Sequence, residues 1–112
     1  MGGQFNLGLM YENGRGVPKD NSEAAHWYRN AARQGTVEAQ FNLGVSYANG
    51  QGVPQDLVYA HKWLNLAGSQ GLEEAQENRR TIERQMTRGQ IAEAQRLAHE
   101  WMREFESRAE EQ

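Results

Sequence analysis

Three histidines, fifteen carboxylates and no cysteine are the raw material for chemistry in this 112-residue chain. Without cysteine there is no thiol nucleophile, no thiolate metal site and no disulfide scaffold. His26, His61 and His99 are scattered, and none lies four residues from another, the spacing at which two imidazoles on one helix face could share a metal. No HExxH, GxSxG or phosphate-loop motif occurs. The carboxylate pairs Glu73-Glu74 and Glu110-Glu111 read as helix-end solubility features rather than an acid–base couple. Gly14-Arg15-Gly16 and Gly50-Gln51-Gly52 imitate half of a nucleotide-binding fingerprint, but each runs on into Val-Pro-x-Asp, and that repetition gives the glycines a structural cause. No catalytic residue, cofactor or metal site is therefore expected. The net charge of −3 argues against a nucleic-acid surface. No run approaches the roughly eighteen apolar residues of a membrane span, and Met1-Gly2-Gly3-Gln4 lacks the start of a signal peptide, so the chain reads as soluble and untargeted. Cytoplasm and periplasm both fit that reading.

The elements that must position any functional group follow from a repeat. Sliding the chain by 36 residues aligns Gln4–Gln40 with Gln40–Gln76 without a gap, and 20 of the 37 positions are identical. Gln4-Phe5-Asn6-Leu7-Gly8 matches Gln40-Phe41-Asn42-Leu43-Gly44, and the pairing continues through Tyr11 and Tyr47, Asp20 and Asp56, Ala24 and Ala60, Trp27 and Trp63. Each copy reads as two antiparallel helices. Ala39, Leu43 and Tyr47 share one face of a first helix, and Gly44 stands where a side chain would hold a neighbour away. Asn49-Gly50 ends that helix. Asp56 caps the next one, and Asp20 with Glu23 has the spacing of a capping box. Ala24, Trp27, Tyr28, Ala31 and their counterparts form the apolar stripe of the second helices. A degraded third copy starts at Glu74-Ala75-Gln76 and keeps Asn78, but puts Arg79-Arg80 in place of Leu-Gly. A polar helix over 73–86 is expected there, followed by a capping box at Thr87 and Gln90 that opens a long final helix. The organisation is one domain, 1–112: repeat one over 3–38, repeat two over 39–74, and the third repeat with its cap over 75–112.

These residues resemble the Sel-one-like repeat (SLR) family, relatives of the tetratricopeptide repeats. Ala39, Leu43, Gly44, Tyr47, Gly50, Gly52, Val53, Asp56, Ala60, Trp63, Ala67 and Gly71 fit its pattern throughout, and the first copy departs only where Gly3 stands in the place of Ala39. The final segment, Gln90 to Ala98 with Glu100-Trp101, is similar to the C-terminal helix that finishes many bacterial members. The resemblance implies an all-α fold, a right-handed α-solenoid of antiparallel helix pairs with about six helices and a long C-terminal capping helix. Cysteine-rich relatives in the family are linked to β-lactam binding, and a chain without cysteine does not resemble that branch.

The family fold implies a concave surface lined by the first helices and used to hold peptides or protein partners. Carried over residue by residue, the concave positions are Phe5, Asn6, Leu9 and Glu12, then Phe41, Asn42, Val45 and Ala48, then Glu77, Asn78 and Thr81. Asn6, Asn42 and Asn78 share one register and would form an amide ladder for an extended backbone, with Arg79, Arg80 and Arg84 near its end able to attract a carboxylate. The structural alternative is that the asparagines bond to a neighbouring helix, the arginines are the solvated face of a cap, and Phe5 and Phe41 are core or groove wall. The expected role is a non-catalytic scaffold binding a protein or peptide, with no nucleic acid and no membrane. Self-association is the second reading. The first helix has no repeat before it and should expose Leu7, Leu9 or Met10, which points to a fragment of a longer solenoid or to a dimer that covers that face, while Trp101 and Phe105 lie far along the final helix, where a homodimer could cover them or the helix could fold back and bury them.

Overall fold

Glycine at position 50 ends a helix because it can enter the left-handed region without steric cost, and it does so at φ 66° with its N–H on the Ser46 carbonyl. From such local stops the computed structural model, which describes residues 2–111, builds six helices and no strand among those residues. They are α1 (Gly2–Asn13), α2 (Asn21–Arg33), α3 (Val37–Asn49), α4 (Leu57–Ser69), α5 (Glu73–Glu83) and α6 (Arg88–Glu110). Met1 and Gln112, the two ends of the expected single domain, lie outside the described residues.

Asp20 and Asp56 cap α2 and α4 as expected, each accepting backbone N–H bonds from the first turn. The reciprocal half of a capping box at Asp20 and Glu23 does not form. The Asp20 N–H is already taken by the Tyr11 carbonyl at 2.9 Å, as the Asp56 N–H is by Tyr47 at 2.9 Å. That bond ties each loop back to the helix it leaves and leaves Glu23 nothing to accept. At Thr87 the N–H is free, and there both halves of the box are made with Gln90.

The helix glycines are packing residues. A Cβ built on Gly44 would stand 2.8 Å from Leu64 Cγ and 3.2 Å from the Ala60 carbonyl, and one on Gly8 would stand 2.5 Å from Tyr28 Cε1. The second helix of each pair therefore seats directly on the backbone of the first. Two apolar clusters result. One joins Ala24, Tyr28, Ala31, Ala32, Ala39, Leu43, Trp63, Leu66 and Ala98, and the other joins Ala60, Leu64, Ala67, Ala75, Ile82, Met86 and Ala94. Alanine dominates both, which is how a chain with few large aliphatics builds a close-packed core. The thinnest dimension, 22 Å, is that of two helix layers of about 10–12 Å each.

The third pair departs from the first two. Where Gly8 and Gly44 admit a partner, Arg80 offers a long charged side chain, and α6 lies along α4 instead of closing on α5 in the manner of the earlier pairs. α5 also ends at Glu83, three residues short of the expected Met86. Arg84, Gln85 and Met86 form a tightened turn with bonds to residues three earlier, and this drops the Met86 side chain into the second cluster.

Gly44→Ala gains about 1 kcal/mol of helix propensity, but the added methyl meets a backbone carbonyl that cannot move, at a cost of about 1–3 kcal/mol. Net destabilisation is the expected outcome, seen as a lowered urea midpoint. An unchanged or raised midpoint would show that the pair has room to relax.

Candidate functional site

The first helices carry the residues expected on the concave face, and the structure treats them unequally. Phe5 and Leu9 are half-buried, leaning on the first cluster, with the Phe5 ring 5.9 Å from that of Tyr28. Phe41 is half-buried against the second cluster, and Val45 is half-buried one turn further on. Asn6 and Asn78 are exposed, whereas Asn42 is half-buried with its amide beside the Tyr28 hydroxyl. The outer two amides of the ladder thus face solvent, while the central one turns toward α2. Arg79 is half-buried and held by Glu83 at 2.8 Å, while Arg80 and Arg84 are exposed.

Tyr28 organises the middle of this surface. Its side chain is buried, and its hydroxyl donates to Glu12 Oε1 at 2.7 Å. Burial, followed by the bond to Glu12 and that carboxylate's charge, pushes the hydroxyl well above the usual tyrosine range, and the neighbouring Asn42 amide opposes this. The hydroxyl therefore stays a proton donor that ties α2 to α1. The corresponding residue in the second copy is Leu64, so the repeat pattern showed an apolar site and not this bond.

A second polar group escaped sequence reasoning altogether. His61, fully buried on α4, places Nε2 2.7 Å from Glu83 Oε2 on α5, and Arg79 completes the triad. The hydrogen bond to His61, reinforced by the charge of Arg79, holds the Glu83 carboxyl below its usual range against the opposing effect of partial burial. Twenty-two residues separate His61 from Glu83, and no local spacing announces such a contact. What the triad does is pin α5 to α4. Glutamines form the third polar device. Gln40 Nε2 donates to the Ala32 carbonyl at 3.2 Å and Gln76 Nε2 to the Gly68 carbonyl at 2.7 Å, each reaching eight residues back to the end of the preceding helix. Here a signal existed in the sequence, since Gln4, Gln40 and Gln76 stand 36 residues apart.

Trp101 and Phe105 fold back. Trp101 packs edge-on against Trp63 at 5.6 Å between ring centroids and stacks on Phe105 at 4.9 Å. The Phe105 ring lies over Gly35, where a Cβ would meet it at 2.8 Å, so α6 reaches across α4 to the end of α2. Lys62 lies over the Trp63 ring, 4.6 Å from its centroid, and burial followed by repulsion from Arg33 holds its ammonium below the usual lysine range. Among the described residues no cluster of His, Asp or Glu side chains could hold a metal ion, and no helix is long and apolar enough to cross a membrane.

A family model described as Sel1 repeat matches residues 2–36 and again residues 37–72. Among solved structures, a protective antigen present in uropathogenic Escherichia coli strains and displaying an SLR fold is similar over 91% of this chain and 22% of its own, with 38% identity and a TM-score of 0.85. A Sel1 repeat protein from Oxalobacter formigenes is similar over 72% of this chain and 33% of its own, with 38% identity and a TM-score of 0.70. The chain therefore spans between about a fifth and a third of the length of these two. No functionally curated protein matches it.

The triad sets a pH dependence. Because the Glu83 pKa is depressed in the folded chain, its contribution is complete above the ordinary value of 4.5 and is lost as the pH falls through the lower folded value. Glu83→Ala should cost about 1–3 kcal/mol at pH 7, the cost of leaving buried His61 Nε2 without its acceptor. The gap between variant and parent in urea unfolding should close in acid, and a gap that persists unchanged at pH 3 contradicts the account.

Proposed function

Because the chain belongs to the Sel1 repeat family, whose members commonly serve as protein–protein interaction modules on a generally non-catalytic scaffold, we propose that its first helices hold an extended segment of a protein partner. The observation that supports this reading is the alternation along one register. Half-buried Phe5, Leu9, Phe41 and Val45 present apolar walls, and the amides of Asn6, Asn42 and Asn78 recur beside them at 36-residue steps. Amides can both donate to and accept from a peptide backbone, so such a row reads an extended chain without demanding one side-chain sequence. The exposed Arg80 and Arg84 favour an acidic residue at the α5 end. The Tyr28–Glu12 bond holds the groove wall beside Asn42, so the middle of the surface is organised before a partner arrives, which lowers the ordering cost of binding.

Peptides selected on the chain from a displayed random library provide the test. Asn6→Ala and Asn78→Ala, at exposed positions that leave the core intact, should each weaken binding about 2–10-fold, the worth of one hydrogen bond, and Phe41→Ala should weaken it more. If all three variants bind the selected peptides as the parent does, the partner lies elsewhere on the molecule.

A further inference from the structure

The two full copies differ at Arg29, Arg33, Tyr59 and Lys62, whose counterparts 36 residues away are Asn65, Ser69, Glu23 and His26. The repeated frame therefore does not require these four side chains. The fold nevertheless gathers them in one groove between α2 and α4. Arg29 and Arg33 stand one turn apart on α2, and the Arg29 guanidinium donates to the Tyr47 hydroxyl of α3 at 3.0 Å. The Tyr47 ring lies 5.4 Å from that of Tyr59, and the Lys62 ammonium lies 5.9 Å from the Tyr59 ring and 4.6 Å from that of Trp63. Arg33 is near enough to Lys62 for repulsion between the two charges to act on the ammonium. Three cations thus share one groove of a chain whose net charge is −3, and two of them, Arg29 and Lys62, are half-buried. Like charges drawn together and partly out of water are costly unless an anion answers them. The chain supplies none at close range. Among the described residues the ion pairs belong to His61, Arg79 and Arg96, and Glu104 and Glu100 act on Lys62 only through longer-range charge. The donors are correspondingly unspent: Arg29 uses one of its five N–H groups on Tyr47, whose hydroxyl keeps its own proton to give.

We infer that the groove formed by Arg29, Arg33, Tyr47 and Lys62 is a second binding site, separate from the row of asparagines on the first helices, and that it takes the phosphomonoester of a phosphorylated side chain on a protein partner. Such a group carries about −1.5 to −2 charge at neutral pH and three strong acceptor oxygens. It can answer three cations and a hydroxyl from different sides, where a carboxylate brings one charge and two oxygens. Arg29 supplies the planar fork, and Lys62 supplies a point charge braced on the Trp63 ring. A phosphorylated membrane surface fits the groove less well. Arg29 and Lys62 are sunk between two helices, Glu100 and Glu104 flank Lys62, and an anionic bilayer repels a negatively charged chain.

Lys19 and Lys62 are the only lysines, so nuclear magnetic resonance of the full chain with isotope-labelled lysine reports the site through one Cε resonance and carries its control in the other. Methyl phosphate should shift the Lys62 resonance saturably and leave that of Lys19 in place. Methyl sulfate, a monoanion of the same shape, should bind at least about tenfold more weakly. Arg29→Gln and Arg33→Gln should each weaken methyl phosphate by about 3–10-fold. Arg33 is exposed, so its replacement leaves the core intact, and Arg15→Gln, which removes a positive charge from an exposed loop, should change nothing. A short phosphoserine peptide should shift Lys62 as methyl phosphate does, whereas phosphatidylcholine vesicles carrying phosphatidic acid should not. The inference is overturned if Lys62 does not respond to methyl phosphate, if methyl sulfate binds as tightly, if both arginine variants bind as the parent does, or if the vesicles shift Lys62 and the peptide does not.

Discussion

The distance at which one helix of a pair can approach the other governs this molecule. Gly8 and Gly44 remove the side chain at the crossing point, and Tyr28 and Leu64 then lie on bare helix backbone. Once the axes are that close, alanine is large enough to fill the space between them, which is why Ala24, Ala31, Ala60 and Ala67 can be core residues. A chain with eighteen Leu, Ile, Val and Phe residues among 112 could not close two helix layers at ordinary spacing. The close approach also brings backbone carbonyls near facing side chains, and the polar devices of the interior use that proximity.

Those devices set register. Apolar contacts between alanine-rich helices tolerate sliding, whereas a glutamine that reaches a carbonyl eight residues back does not. Gln40 and Gln76 make the same bond at the two junctions between successive pairs, and Asp20 and Asp56 make the same bond from loop to helix. Tyr28 and the His61–Glu83–Arg79 triad are single additions laid over this repeated frame, one tying α2 to α1 and the other fastening α5. Each buried polar group with its partner in place specifies one arrangement at little net gain in stability.

Departure from the repeat is as informative as adherence. Arg80, in the register of the packing glycines, denies α6 the seat that α2 and α4 enjoy, and α6 takes its contacts from α4 and the end of α2 instead. The final helix thus spans both full repeats, with Trp101 on Trp63 and Phe105 on Gly35.

The sequence by itself determined the helix count, the stops at Gly50 and at the two aspartate caps, the close crossings at Gly8 and Gly44, and the second capping box at Thr87. All of these are local, or are copied at a fixed step, so they can be read from spacing. It also placed the residues of the candidate surface on their helices, because first helices recur in one register. Only the tertiary structure decided that Asn42 turns to Tyr28 while Asn6 and Asn78 face solvent, that Asp20 spends its N–H on Tyr11 rather than Glu23, and that α5 stops at Glu83. It alone brought His61 to Glu83 and laid α6 along α4. The reason is common to all of these: each depends on one partner far away in the chain, at a distance set by how closely whole helices pack, and no pattern within one helix encodes that distance.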